Sequence, residues 1–152
     1  MTPEARLIEL GLELPPPPSP GGTYVSAKRV GELLFLAGAI SSGPGGVITG
    51  VVGQGATVAD GYAAARACAL NHLSVIRREL GSLDAVAEVV SLNGYVNSVA
   101  GFTESPAVIN GASDLLVELF GEAGRHVRAA VGVSGLPRGA MVETQMMVRV
   151  KV

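Results

Sequence analysis

Apolar positions along this chain recur in two periods, and each change of period marks an element boundary. From Val58, the row Val58, Ala65, Cys68, Ala69, His72, Leu73, Ile76 and Leu80 follows the helical period and predicts a helix over 58–80. Thr57 and Asp60 offer it a capping-box start, and Gly81 a left-handed stop. Ser105-Pro106 opens a second helix over 106–120, which Gly121 ends. A shorter helix covers 2–11, with Thr2 as N-cap, Pro3 in its first turn and Gly11 as its stop. Elsewhere the alternation is that of strands. "TYVSAKRVGELLFLAGAI" (23–40) reads as two strands about Val30-Gly31-Glu32, and "VITGVVG" as a third. "LDAVAEVVSLNGYVN" begins helically and runs into a strand through Val89–Val96, and two more strands occupy about 127–134 and 141–151. The order βββαβαββ behind a leading helix predicts an α+β domain with both main helices on one face of one sheet.

The last two strands carry a register expectation. Val127, Ala129, Val131 and Val133 form an apolar odd-numbered row, whereas Val142, Met146, Val148, Val150 and Val152 are even-numbered. Antiparallel partners whose core rows differ in parity pair at odd sums of residue number, a condition that Arg128 and Glu143 meet. The two are therefore expected as cross-strand neighbours on the face turned away from the helices. An ordinary ion pair is one reading of them. Ala130 and Gly132 share that face and leave room, so the other reading is a small carboxylate gripped by the planar guanidinium.

Composition narrows the field. The 152 residues suit a single domain, divided here as a helix and Pro-rich arm over 1–22 and a domain over 23–152. "PPPPSPGG" (15–22) is read as a stiff surface spacer with a flexible end. Charged residues are 16% of the chain against roughly 25% in an average soluble domain, which predicts surface hidden between copies of the chain. A net charge of −2, three Phe, three Tyr and no Trp argue against nucleic acid as a partner. "LLFLAGAI" is too short to cross a bilayer, and the opening "MTPEARLIEL" lacks a signal peptide's apolar core, so no membrane is expected and the location expected is cytoplasmic. Cys68 stands alone, which fits a reducing compartment, and is read with His72 as buried core. His126 adjoins Arg125 and Arg128 and is the histidine expected nearer a site. Neither histidine has partner ligands at workable spacing, so no metal is expected. "GPGGVITGVVGQG" lacks the lysine and the strand-to-helix context of a nucleotide loop.

Several segments together carry a resemblance. They are "GGTYVSAKRVGELLFLAGAI", "GYAAARACALNHLSVIRRELGSLDAVAEVVSLNGYVNS", "FTESPAVINGASDLLVELFGEAGRH", and "VRAAVGVSGLP" followed by "VE". Over about residues 20–152 the chain resembles the Rid (YjgF-type) family, in a branch often labelled endoribonuclease L-PSP. The resemblance implies a chorismate-mutase-like fold with a mixed sheet, a homotrimer, no cofactor, and hydrolysis of enamines or imines in clefts between subunits. It implies that Arg128 holds a substrate carboxylate and that Glu143 positions water. Asn110, Ala37 and Gly38 would line the site, and Tyr24 would close it from a neighbouring subunit. Ala37-Gly38-Ala39 stands where the deaminases usually carry Ser-Gly-Gln, and Ala130 where a cysteine often follows the arginine. Three functions follow in order: an imine deaminase releasing a 2-oxo acid and ammonia, a non-catalytic trimer binding small carboxylates, and an endoribonuclease that inhibits translation.

Overall fold

A computed structural model describes residues 1–152. Helix α1 (Pro3–Glu9) begins under Thr2, whose hydroxyl accepts from the Ala5 N–H at 3.2 Å. Strands β1 (Ala27–Val30) and β2 (Leu33–Leu36) form an antiparallel hairpin about Gly31-Glu32, as expected from the sequence. After a break at Ala37-Gly38 the chain continues as β3 (Ala39–Ile40). "VITGVVG" does not give a third strand of the main sheet. Gly50 and Gly53 take φ of +141° and +93°, which breaks the pleat, and the region divides between two small ribbons. These are β4 (Ser42–Gly43) with β5 (Gly46–Val47), and β6 (Val51–Val52) with β7 (Gly55–Ala56).

Helix α2 (Val58–Leu80) has the predicted bounds. The Thr57 hydroxyl accepts from the Asp60 N–H, the Asp60 carboxylate accepts from the Thr57 N–H, and Gly81 closes the far end at φ +84°. The helical start read into "LDAVAEVV" shrinks to one turn at Leu83–Ala85, because the β-branched valines beyond it join strand β8 (Val86–Asn97). Helix α3 (Ser105–Phe120), β9 (Val127–Val133) and β10 (Val142–Val150) complete the order.

The strand order is β1-β2-β10-β8-β9, with β3 also paired to β10. β9 runs parallel to β8 after a crossover through α3, while the other main pairings are antiparallel, so the sheet is mixed. Helices α2 and α3 cover one face. Their Leu73, Ile76, Ile109 and Leu116 meet Leu34, Leu92, Met146 and Val148 of the strands in one core. The leading segment is fastened to that core. Leu7 is buried in it, the Glu4 carboxylate takes two hydrogen bonds from Arg77 at 2.6 and 3.0 Å, and the Ser74 hydroxyl donates to the Pro15 carbonyl.

This topology overturns the register expected of the last two strands. β8 lies between β9 and β10, so Arg128 stands beside Leu92 and Glu143 beside Tyr95. Leu92 and Tyr95 are three residues apart on one strand and point to opposite faces. Arg128 therefore sits on the helix side, at the sheet edge beside α3, and Glu143 on the open side. The apolar row of β9 is likewise turned outward, with Val127 73% and Val131 47% exposed.

Candidate functional site

Glu143 stands in a cavity of about 900 Å³ on the open side of the sheet. The break between β2 and β3 passes directly over its carboxylate: a Cβ at Gly38 would come within 2.8 Å of Oε2. Burial pushes the Glu143 carboxyl above its ordinary pKa. Tyr24, Ala37, Gly38 and Ala39 line the same cavity, and so do Pro18 and Pro20 of the Pro-rich arm. The arm is thus a wall of the cavity as well as a spacer. Tyr24 is held by the Gly21 N–H, which donates to its hydroxyl at 2.9 Å. Its ring belongs to the cavity of its own chain's Glu143. His72 is part of the wall and is almost fully buried. Its Nε2 lies 3.1 Å from the Thr144 carbonyl and 2.9 Å from the Thr144 hydroxyl, and burial lowers its pKa to about 4. Cys68 is also buried, its thiol pKa pushed upward by desolvation.

Arg128 lies in a second cavity, of about 560 Å³, formed between α3 and the start of β9. Asn110, Ser113, Asp114 and Val117 face it from α3 at the spacing of one helix face, and Arg125 and His126 face it from the connecting turn. Arg128 Nη1 donates to the Ser113 hydroxyl at 2.9 Å, and Nη2 to the Pro106 carbonyl at 3.0 Å. Ser113 Oγ lies 2.8 Å from His126 Nε2, and His126 Nδ1 lies 2.7 Å from the Gly124 carbonyl. Burial first, and then the charge of Arg128, hold the His126 pKa below its ordinary value against the opposing pull of the Gly124 carbonyl.

The six expected site residues are thus sorted into two groups. Tyr24, Ala37, Gly38 and Glu143 gather in one cavity, Asn110 and Arg128 in the other, and the two cavities share no lining residue. Sequence reasoning missed Ser113, whose signal was its place one helical turn after Asn110, and Arg138. Arg138 lines the Glu143 cavity and is the only non-glycine residue with positive φ, at +58°.

Comparison with known proteins gives concordant results. Residues 4–147 match the family model described as "YjgF/chorismate_mutase-like, putative endoribonuclease". Protein TCP17 of Trypanosoma cruzi is 48% identical over 146 residues, which are 95% of this chain and 91% of that protein. The protein Atu1372 of Agrobacterium tumefaciens, described as of unknown function, is 41% identical over 99% of this chain and 94% of its own, with a TM-score of 0.89. A Shewanella oneidensis "putative endoribonuclease" is 34% identical over 99% of this chain and all of its own, with a TM-score of 0.94.

Proposed function

Because the chain belongs to the YjgF/chorismate-mutase-like family, we propose that it hydrolyses small 2-imino acids to 2-oxo acids and ammonia in clefts between three copies of itself. The observation that carries this reading is the split of the polar residues between two cavities on opposite faces of one sheet. The Glu143 cavity has an arginine of its own, Arg138, but not the Arg128 and Asn110 that the family resemblance assigns to the substrate carboxylate, so each cavity holds half of the expected site. Apposing the Arg128 side of one protomer to the Glu143 side of the next completes it, and a cyclic arrangement does so at every interface. The outward row Val127, Ala129 and Val131 gives such an interface apolar area to cover.

In that cleft Arg128 takes the carboxylate of the imino acid with the N–H groups not given to Ser113 and Pro106, and Asn110 stands beside it. The C=N carbon, adjacent to the carboxylate, is then held in one orientation. Glu143 accepts a proton from water as the oxygen bonds to that carbon. It returns that proton to nitrogen, giving a carbinolamine, and then carries the hydroxyl proton of the carbinolamine to the same nitrogen as the C–N bond breaks, releasing ammonia and leaving the C=O of the 2-oxo acid. The raised pKa of Glu143 suits these transfers.

Ala37 and Ala39, apolar where the deaminases usually carry Ser and Gln, favour a second reading in which the same cleft binds a small carboxylate without turnover. Calorimetry with pyruvate and 2-oxobutanoate, together with ammonia release from freshly generated imino acids, separates the two. On the hydrolase reading, Arg128→Lys and Arg128→Ala lose affinity for both 2-oxo acids. Glu143→Gln retains affinity and loses turnover by about 100-fold or more. Affinity without ammonia release supports the binding reading, and affinity unchanged in both arginine variants overturns the carboxylate clamp. RNA left intact by highly purified protein argues against the nuclease reading, whereas cleavage abolished by Arg128→Ala reverses the ranking.

A further inference from the structure

Arg128, Ser113 and His126 are joined end to end, and the direction of every bond follows from one anchor. The Gly124 carbonyl can only accept, so the hydrogen of a neutral His126 is on Nδ1 and Nε2 presents a lone pair. The Ser113 hydroxyl must then give its hydrogen to Nε2 and receive Arg128 Nη1–H on its oxygen. With Nη2 tied to the Pro106 carbonyl, the guanidinium is braced at two points and keeps three N–H groups for a ligand.

We propose that Ser113 and His126 are positioning residues for Arg128, and that the relay they form couples carboxylate binding to uptake of a proton at His126. The proposal rests on the reading of Arg128 as a carboxylate clamp. A proton arriving at Nε2 makes His126 a donor at both nitrogens. Ser113 then accepts from His126 and Arg128 together, and its own hydrogen is released toward the cavity, where a carboxylate oxygen can take it. The imidazolium also adds a second positive charge beside Arg128. In the empty cavity that charge is unfavourable; with an anion on Arg128 it is favourable, so ligand and proton assist each other.

The other charges around His126 leave this coupling in place. Arg125, on the same turn, is paired with Glu122 at 3.3 Å. From α3, Asp114 accepts from the Tyr62 hydroxyl of α2 at 2.7 Å, and Glu118 lies 3.9 Å from Arg66 of α2. Glu118 is thus paired, Asp114 keeps its negative charge against a neutral hydroxyl, and β8 places apolar Leu92 beside Arg128. The charge that bears on the imidazole is that of Arg128.

Calorimetry with pyruvate, which stays ionised throughout, run between about pH 5 and pH 8 in two buffers of unlike ionisation enthalpy, tests the coupling. Affinity should rise as pH falls, with net proton uptake, by about tenfold for each unit that pyruvate raises the His126 pKa. His126→Gln keeps an acceptor for Ser113 but does not titrate, so its affinity should be level over that range. Ser113→Ala should weaken binding at every pH, and Ser113→Thr should restore it. Arg128-dependent binding that is level in the wild type, or equally pH-dependent in His126→Gln, overturns the relay and leaves the clamp standing. Binding that does not depend on Arg128 overturns both.

Discussion

His72 and Glu143 are both partly or wholly withdrawn from water, and they make opposite contributions to the pH dependence of stability. Folding lowers the His72 pKa from 6.5 to about 4. Below pH 6.5 the unfolded chain therefore takes up a proton that the folded chain refuses, and stability falls with acid until about pH 4. The gap corresponds to roughly 3 kcal/mol. Urea unfolding at neutral pH and near pH 4 should show this loss, and His72→Gln, whatever its absolute stability, should show a shallower slope. Glu143 has its pKa raised by burial, so its contribution is present in acid and is lost as pH rises through its folded pKa. Glu143→Gln is expected to raise the melting temperature at neutral pH, the usual sign of a group kept for chemistry at some expense of stability.

At the scale of elements, the closest approach is between α2 and α3. A Cβ at Gly111 would lie 2.0 Å from the Tyr62 carbonyl oxygen, a backbone atom that cannot swing aside. Gly111→Ala must push the two helices apart and is expected to destabilise the chain by about 3 kcal/mol, read as a lower denaturant midpoint. The bounds of α2 were legible in the sequence because Thr57, Asp60 and Gly81 act locally on their own turns. The pairing of β9 and β10 was not. Parity reports which residues share a face, but it is silent on whether another strand lies between. The row Val127, Ala129, Val131 was also misleading, since an apolar row on an uncovered sheet face looks the same in sequence as one in the core. The candidate site residues were named in the sequence through the family resemblance. Their division into two cavities was not legible, because that depends on β8 entering between strands that are close in sequence.

For the whole molecule, the exposed valines and the divided site make one demand. Val30, Val127 and Val131 are exposed on the open face, beside half-buried Leu33, Phe35, Tyr95 and Met147. No helix of the chain is long and apolar enough to cross a membrane. If three copies cover that face, ultracentrifugation at micromolar concentration should give a trimeric mass. Val131→Glu should give a folded monomer with native circular dichroism and no affinity for pyruvate. A monomeric wild type that still binds pyruvate would overturn the assembly.

β10 carries Glu143, and its place in the sheet also bears on how the chain is made. It lies between β2 and β8, yet it is the last of the three to leave the ribosome. More than one hundred residues separate Leu36 from Val142, so at a synthesis rate of about 5–20 residues per second the inner edge of β2 waits roughly 5–20 s for its partner. Through that interval "LLFL" and the facing edge of β8 offer unpaired backbone and apolar side chains to any other nascent chain. The same strand that delivers Glu143 thus leaves the newborn chain with two unpaired apolar edges until β10 itself has emerged.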